Sequence, residues 1–234
     1  MIERRFRGPP ESGNGGYTVG LLAKFAPEPV AVRLRVPPPL EAPLEVRAAD
    51  DGFELTAGDT VVASATPAEV GLEAPAPPSP AEAREAASRY AGLERHTFPG
   101  CFVCGPARGD GDGLRIFAGP VPGGALLAAP WQPDPSLAGT RGAVRPEFIA
   151  AALDCPGYFA VAAPGQLMLL GSMALEIRRS VAVGEPCVVV AWSLGGGGRK
   201  WRAGTAVFGA DGDCAALAAA TWIELKSAAL PAAG

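Results

Sequence analysis

The sequence predicts an α+β protein with two similar halves, each made of one helix wrapped by a curled antiparallel sheet. Three observations support this: a weak internal repeat, an apolar helix candidate ahead of each set of strand-like segments, and a Pro-rich linker between the sets. An apolar helix has to cover its surface, and an antiparallel sheet packed against it does so. We therefore expect one such unit in each half.

The repeat appears when residues are compared at an offset of 143 positions. The compared segments alternate in the manner of strands, and each is followed by a turn and a second strand that opens after proline. Each copy also closes with strand-like sequence, at 60–66 and at 215–225. The matched positions are 30–35 with 173–178, Pro43 with Pro186, Val46 with Val189 and, with three further residues in the second copy, Ala57–Gly58 with Ala203–Gly204 and Val61 with Val207.

The linker sets the expected boundaries of the two halves. We expect an N-terminal half over 1–72, a linker with a connecting helix over 73–97, and a C-terminal half over 98–234. Ser79 and Glu82 have the spacing of a capping box, with proline at the first helical position. A solvated connecting helix is therefore predicted from Ala81 to Leu93.

Each half has a helix candidate. In the first half, Asn14 is a suitable N-cap for a short, Gly-rich helix that ends near Ala23 and depends on tertiary packing. In the second half, a helix is expected to begin at about Pro146. Pro156 should end or kink it, because proline lacks an N–H and clashes with the preceding turn.

Composition excludes several classes of function. The 234-residue chain has a formal charge of −4 and a pI near 5.2, whereas general nucleic-acid binding needs a basic surface. No stretch has the roughly 20 apolar residues of a membrane span, and the first ten residues lack the apolar core of a signal peptide. The chain has five cysteines, an odd number, and a reduced intracellular state suits them. We therefore expect a cytoplasmic protein.

Asp154 is the main candidate for chemistry. It is the only charged residue between Glu147 and Glu176 and lies in an otherwise apolar run. A carboxylate is costly to bury without partners, and isolation shifts its pKa. The structural alternative is a carboxylate satisfied by backbone N–H groups of a neighbouring segment.

The sequence signals for a metal site or a catalytic nucleophile are weaker than the signal at Asp154. Cys101 and Cys104 have the spacing of a zinc knuckle, and His96 is the only histidine. Structural zinc normally has four protein ligands, and no second pair of cysteines is present. We therefore predict no metal site, and instead a tight turn before a strand at 114–117. A catalytic triad has no elbow motif here, while a Cys–His dyad stays open.

Four consecutive glycines, 195–198, precede a basic segment. Strand-like sequence follows them, so a flexible hairpin turn is favoured over a phosphate-binding loop. Arg199, Lys200 and Arg202 at this tip are candidate contacts for an anionic ligand.

Three stretches resemble one known family. Residues 13–17 (Gly-Asn-Gly-Gly-Tyr) open a helix, residues 101–106 are followed by 113–116, and residues 151–157 include Asp154. Together they resemble the hotdog-fold acyl-CoA thioesterases in a tandem, double-hotdog arrangement. The resemblance implies a continuous sheet, two helices side by side, and two halves that act as one pseudo-dimer.

The resemblance also implies a site. Asp154 serves as base or nucleophile with Asn14 as its partner, and the N–H groups of Gly15 and Gly16 polarise the thioester carbonyl. Glu11, Tyr17 and Arg199 complete the predicted substrate contacts. Two departures reduce this to one site: asparagine replaces the family's histidine at Asn14, and Ala23 stands where the first half should carry its acid.

Three functions stay open. The first is hydrolysis of an acyl-CoA or similar thioester without another cofactor, CoA being part of the substrate. The second is non-catalytic binding of acyl-CoA or a lipid-like ligand, which the missing histidine favours. A hydratase ranks last because it needs an Asp–His pair. Chain length, thiol carrier and assembly into a homodimer of double hotdogs are left open.

Overall fold

The computed structural model describes residues 1–225, so the end of the predicted C-terminal half, 226–234, lies outside the described residues. An antiparallel sheet of ten strands forms the body of this part of the chain, with helices on both of its faces. The helices are α1 Gly15–Ala23, α2 Pro80–Ala87, α3 Pro146–Ala152 and α4 Cys155–Val161. The strands are β1 Val30–Leu34, β2 Glu45–Ala49, β3 Gly52–Ala57, β4 Thr60–Pro67, β5 Gly119–Pro120, β6 Leu126–Trp131, β7 Met168–Ile177, β8 Cys187–Gly197, β9 Lys200–Phe208 and β10 Cys214–Glu224.

The sheet has the strand order β2-β3-β4-β1-β7-β10-β9-β8-β6-β5. β1 and β7 meet as antiparallel neighbours, with Val32 opposite Met173. Outward from this join, the strands on one side are β1, β4, β3 and β2. On the other side they are β7, β10, β9 and β8, followed by β6 and β5. The predicted α+β class is confirmed, while its division into two duplicated hotdog units stays a prediction.

One detail of the repeat does not fit the structure. Ala57 ends β3 and Gly58 lies in the following turn, with a φ of +57°. Ala203 and Gly204 lie inside β9 instead. The three-residue shift therefore aligned a turn with a strand interior, because short runs of alanine and glycine carry little positional information.

The two faces of the sheet are covered by different helices. Along β8, Val189 packs in the main core with α1, α3 and α4, while Val188 and Val190 pack on the other face in a smaller core with α2. This alternation follows from the period of two in a strand. The capping box of Ser79 is confirmed, but α2 is a short packed helix rather than a solvated one. Its Ala83 and Ala86 are fully buried.

The segment after α2 also differs from expectation. The predicted helix to Leu93 stops at Ala87, and the chain turns to bury Tyr90, whose hydroxyl donates to the Cys104 carbonyl at 3.1 Å. The strand predicted at 114–117 is absent from the described structure. There, Arg115 has a φ of +52°, which breaks an extended run. The N–H of Leu114 instead donates to the carbonyl of Phe102 in the cysteine turn.

Helices α1 and α3 approach closely, and glycine makes this possible. A Cβ on Gly16 would lie 2.5 Å from the Asp154 Cβ, and a Cβ on Gly20 would lie 2.4 Å from the Glu147 Cα. Gly16 and Gly20 are four residues apart, so they share one face of α1. The glycine content that weakens α1 as an isolated helix therefore lets it pack against α3.

The predicted interruption at Pro156 is confirmed. α3 ends at Ala152, and α4 begins at Cys155 with the proline in its first turn. Asp154 lies at the break with φ −82° and ψ −83°, and its side chain makes no capping bond to α4. The carboxylate is thus directed away from its own helix. No helix within residues 1–225 has the length and apolar character that crossing a membrane requires.

Candidate functional site

The carboxylate of Asp154 lies against the first turn of α1. Its Oδ2 accepts a hydrogen bond from the Asn14 side-chain amide at 2.8 Å and another from the Gly16 N–H at 2.9 Å. Only 2% of Asp154 is exposed. Its other oxygen, Oδ1, is buried with no hydrogen-bond partner among the described residues. One oxygen is therefore fixed, and the other can still accept a proton.

Burial raises the pKa of Asp154 from its ordinary value of 3.8 to about 7. The hydrogen bond from Gly16 and that from Asn14 act in the opposite direction, because they stabilise the charged form, and the nearby Cys101 raises the pKa further. A carboxyl with a pKa near neutrality exchanges a proton at physiological pH, which suits acid–base chemistry.

Asn14 links the carboxylate to the first turn of α1 through the two ends of its amide. Its Oδ1 accepts from the Tyr17 N–H at 2.9 Å, which makes Asn14 the N-cap of α1, as predicted. This bond fixes the orientation of the amide, so Nδ2 must donate towards Asp154. An aspartate at position 14 would instead bring two carboxylates together. Asn14 is therefore a positioning residue, and the capping signal in the sequence explains only half of its role.

The two glycines after Asn14 differ in their hydrogen bonding. The Gly16 N–H donates to Asp154, so it is occupied and cannot polarise a substrate carbonyl as expected. The Gly15 N–H makes no hydrogen bond within residues 1–225, and Gly15 lies on the wall of a cavity. Because Gly15 is the first residue of α1, its N–H is one of the unpaired donors at the positive end of the helix.

A cavity of about 1900 Å³ lies beside this carboxylate. Asp154, Asn14 and Gly15 belong to its wall, together with the predicted Glu11. Glu11 is at the rim, where its exposed carboxylate pairs with Arg4 at 3.2 Å. The rest of the wall combines apolar side chains with exposed cations, and those cations are Arg33, Arg35, Arg95, Lys200 and Arg202.

Two predicted contacts are not on this wall. Tyr17 is buried in the core, stacked on Phe6 at 4.5 Å between ring centroids. Arg199 donates through Nε to the Glu224 carbonyl at 2.9 Å, at the end of β10. Lys200 and Arg202, from the same hairpin, do line the cavity. Arg199 lies in the turn before β9, whereas Lys200 and Arg202 share one face of that strand, and the sequence did not show which residues of the hairpin face inwards.

A cluster of three thiols adjoins the carboxylate. The Sγ atoms of Cys101, Cys104 and Cys155 all lie within 4.8 Å of one another, and all three residues are buried. Hydrogen bonds from Cys104 and Cys155 lower the pKa of the Cys101 thiol well below its ordinary value. The predicted turn at Cys101 is confirmed, because the Gly105 N–H donates to the Cys101 carbonyl at 3.0 Å. Cys155, expected to be a single cysteine apart from the others, belongs to the cluster. Proximity across the fold is not visible in the spacing of single cysteines.

The three stretches that suggested a family meet at this site. Asn14 comes from the first stretch, Cys101 from the second and Asp154 from the third, and the contacts above join them. Sequence positions as far apart as 14 and 154 thus form one constellation. The proximity of Asn14 and Asp154 agrees with the pairing expected from the sequence.

No protein-family model matches this chain, and no curated protein matches it. Distant similarity exists to solved structures. A thioesterase superfamily protein aligns with a TM-score of 0.44 and 16% identity, over 47% of this chain and 54% of its own. The smu.793 protein of Streptococcus mutans UA159, bound to acetyl CoA, aligns at 0.41 and 11%, over 43% and 82%. Zebra fish thioesterase superfamily member 2 aligns at 0.40 and 15%, over 43% and 75%. Each likeness spans less than half of this chain, and the first spans about half of its counterpart.

Proposed function

We propose that this protein hydrolyses an acyl thioester in the cavity beside Asp154. One observation carries the proposal: a buried carboxylate, held through Oδ2 by Asn14 and Gly16 and unpartnered at Oδ1, lies on the wall of a cavity of about 1900 Å³. A carboxyl kept only for structure is expected to have both oxygens satisfied. The unpartnered oxygen is therefore the group we assign to chemistry.

The reaction follows from the positions of these groups. Oδ1 of Asp154 takes a proton from a water molecule as the water oxygen attacks the thioester carbonyl carbon. The carbonyl oxygen gains negative charge and is stabilised by the unpaired N–H of Gly15 at the positive end of α1. The C–S bond then breaks, and the sulfur leaves as a thiol with the proton that Asp154 returns. The products are a carboxylic acid and a thiol.

The composition of the cavity wall supports an acyl-CoA as the substrate. Its apolar side chains, among them Met168, Leu170 and Trp222, suit an acyl chain. The exposed cations at Arg33, Lys200 and elsewhere on the wall suit the phosphates of a nucleotide carrier. An acyl group on a carrier protein would use the same apolar surface with fewer of these cations.

A second function, binding without turnover, is favoured by the depth of the carboxylate. Asp154 is only 2% exposed, and its Oδ1 has almost no surface of its own. A water molecule reaches Oδ1 only after the wall moves. If the wall does not open with a ligand bound, the same cavity holds an acyl-CoA or a lipid-like molecule without cleaving it.

The test is hydrolysis of a panel of acyl-CoAs of different chain lengths by the wild type and by Asp154→Asn. The loss of thioester is followed by chromatography, because five free cysteines would react with a thiol reagent. We expect the variant to lower kcat/KM by about 10²–10⁴-fold, the usual contribution of a general base. Asp59→Asn, at an exposed turn, is the matched control and should leave the rate unchanged.

The outcomes separate the two functions. Absence of turnover with every acyl-CoA excludes the hydrolase. Saturable binding of acyl-CoA by the same protein, measured by calorimetry, would then support the binding function. Equal rates for the wild type and Asp154→Asn would show that another group performs the reaction.

A further inference from the structure

The buried thiol cluster of Cys101, Cys104 and Cys155 has no part in the proposed hydrolysis. Cys101 and Cys104 come from one tight turn, and Cys155 is the first residue of α4. The two other cysteines of the chain lie apart from them, at the start of β8 and of β10. Three of five cysteines thus converge from two distant parts of the sequence.

The spacing of the sulfur atoms fits tetrahedral coordination of a metal ion. A Zn–S bond of about 2.3 Å places the sulfurs of a tetrahedral site about 3.8 Å apart. The Sγ atoms of Cys101 and Cys155 are 3.6 Å apart, and every pair in the cluster lies within 4.8 Å. Small shifts of the side chains therefore bring all three sulfurs to the distances that zinc requires.

His96 is close to the cluster, but its hydrogen bonds make it a donor to sulfur. Its Nε2 lies 3.3 Å from the Cys104 Sγ, while its Nδ1 accepts the backbone N–H of Phe98 at 3.0 Å. In a neutral ring, an accepting Nδ1 places the hydrogen on Nε2. Nε2 then donates to the Cys104 sulfur, and it has no lone pair for a metal.

The positive charge of a buried guanidinium lies on the other side of the cysteine turn. Arg108 is 7% exposed, and its Nε donates to the carbonyl of Gly100, the residue before Cys101, at 2.9 Å. Asp112 pairs with the same guanidinium at 3.2 Å. This cation favours the thiolate form of Cys101, which is the form that binds metals. Burial raises the pKa of Cys104, and hydrogen bonds with the other two thiols raise the pKa of Cys155, so a bound cation has to displace their protons.

All three cysteines belong to the wall of the cavity that Asp154 also lines. The cavity is thus a route by which an ion can reach the sulfurs. Among the described residues, the cluster has no fourth Cys, His, Asp or Glu ligand atom, so we leave the remaining position to solvent or a ligand atom from the cavity. Zinc sites with three protein ligands and one open position are typical of sites that bind or activate a small molecule.

We propose that Cys101, Cys104 and Cys155 bind one thiophilic divalent cation such as Zn²⁺ through three thiolates, with the fourth position open to the cavity. His96 supports the site by donating to the Cys104 sulfur. This proposal differs from the expectation, drawn from sequence spacing, that the chain has no metal site. It does not depend on the proposed hydrolysis, because metal binding is measured without substrate.

The experiment uses the full chain, purified under reducing conditions and without a histidine tag. Metal-free protein is titrated with Co²⁺, whose thiolate charge-transfer absorption reports sulfur ligands, and Zn²⁺ is then added to displace it. We expect one Co²⁺ per chain with that absorption, and complete displacement by Zn²⁺. Absence of Co²⁺ and Zn²⁺ binding by protein with five reduced thiols overturns the proposal, as does a Cys101–Cys155 disulfide in the reduced preparation.

Serine variants assign the ligands. Each of Cys101→Ser, Cys104→Ser and Cys155→Ser should weaken Co²⁺ binding by more than about 100-fold, since outer-shell partners alone change metal affinity by 10–100-fold. Cys187→Ser and Cys214→Ser are the matched controls and should bind Co²⁺ as the wild type does. Unchanged binding in all three cluster variants contradicts the assignment. The wild-type titration stands by itself if a cluster variant does not fold.

The role of His96 has its own test. His96→Gln keeps a side-chain N–H donor near Cys104, so it should still bind one Co²⁺, with an affinity lowered by about 10-fold. If His96→Gln loses as much affinity for Co²⁺ as the cysteine variants do, His96 is the fourth ligand, and the proposal that the fourth position is open to the cavity is wrong.

Discussion

Replacing Asp154 with asparagine should remove a pH dependence from the stability of the protein. Burial raises the pKa of Asp154 from 3.8 to about 7 in the folded state, and asparagine has a similar shape with no ionisable group. At pH values between these two pKa values, Asp154 keeps its proton in the folded protein and has released it in the unfolded chain. The unfolded state then binds fewer protons, so stability falls as the pH rises from about 4 to about 7 and is level above that range.

The magnitude follows from the same two values. They differ by about three, and each pKa unit corresponds to about 1.4 kcal/mol, so the full effect is about 4 kcal/mol. Part of this stability is already lost at about pH 5, because the unfolded chain has released the proton there. Between about pH 5 and about pH 8 the wild type should therefore lose about 2.5 kcal/mol more unfolding free energy than Asp154→Asn does.

Urea denaturation at these two pH values measures the difference. The protein is treated with a chelator first, because a cation at Cys155 would change the charge beside Asp154. Asp59→Asn, in an exposed turn, should lose as much stability as the wild type. If the wild type and Asp154→Asn lose equal amounts, Asp154 is ionised in the folded state, and the account of its burial is refuted.

Three further changes test the parts of the site. Gly20→Ala puts a Cβ 2.4 Å from the Glu147 Cα, so calorimetry should show a loss of about 1–3 kcal/mol in unfolding free energy from overpacking. Gly109→Ala is the control: its Cβ meets nothing within 4 Å, so the unfolding free energy should change little. Asn14→Ala removes the cap of α1 and should cost about 1–2 kcal/mol of unfolding free energy; Asn14→Ser should recover stability but not hydrolysis, since it caps the helix without the amide donor. Lys200→Ala together with Arg202→Ala should raise KM for acyl-CoA about fivefold, corresponding to roughly 1 kcal/mol from exposed charges, with kcat unchanged. An unchanged KM would remove these two cations from the binding surface.

Local signals in the sequence predicted the elements that position the site. The cap at Asn14, the capping box at Ser79 and the interruption at Pro156 each depend on a side chain and its nearest backbone, and each is confirmed. The extent of the helix after Ser79 was wrong, because the burial of Tyr90 depends on contacts from elsewhere in the fold.

Long-range features were less accessible from the sequence. The pairing of Asn14 with Asp154 was expected from the sequence, and the Asn14 amide donates to the Asp154 carboxylate at 2.8 Å. Nothing in the spacing of single cysteines indicated that Cys155 joins the thiol cluster. The direction of a side chain was also undetermined: of the three cations predicted at the hairpin tip, Lys200 and Arg202 line the cavity and Arg199 does not.

The central claim is that Asp154 acts as the base in hydrolysis of an acyl thioester. Its most direct test is the rate of acyl-CoA hydrolysis by the wild type, Asp154→Asn and Asp59→Asn, measured by the loss of thioester. We expect turnover by the wild type and Asp59→Asn, and a decrease of about 10²–10⁴-fold in kcat/KM for Asp154→Asn in a protein that remains folded. Equal turnover by Asp154→Asn, or no turnover by the wild type with any acyl-CoA, would contradict it.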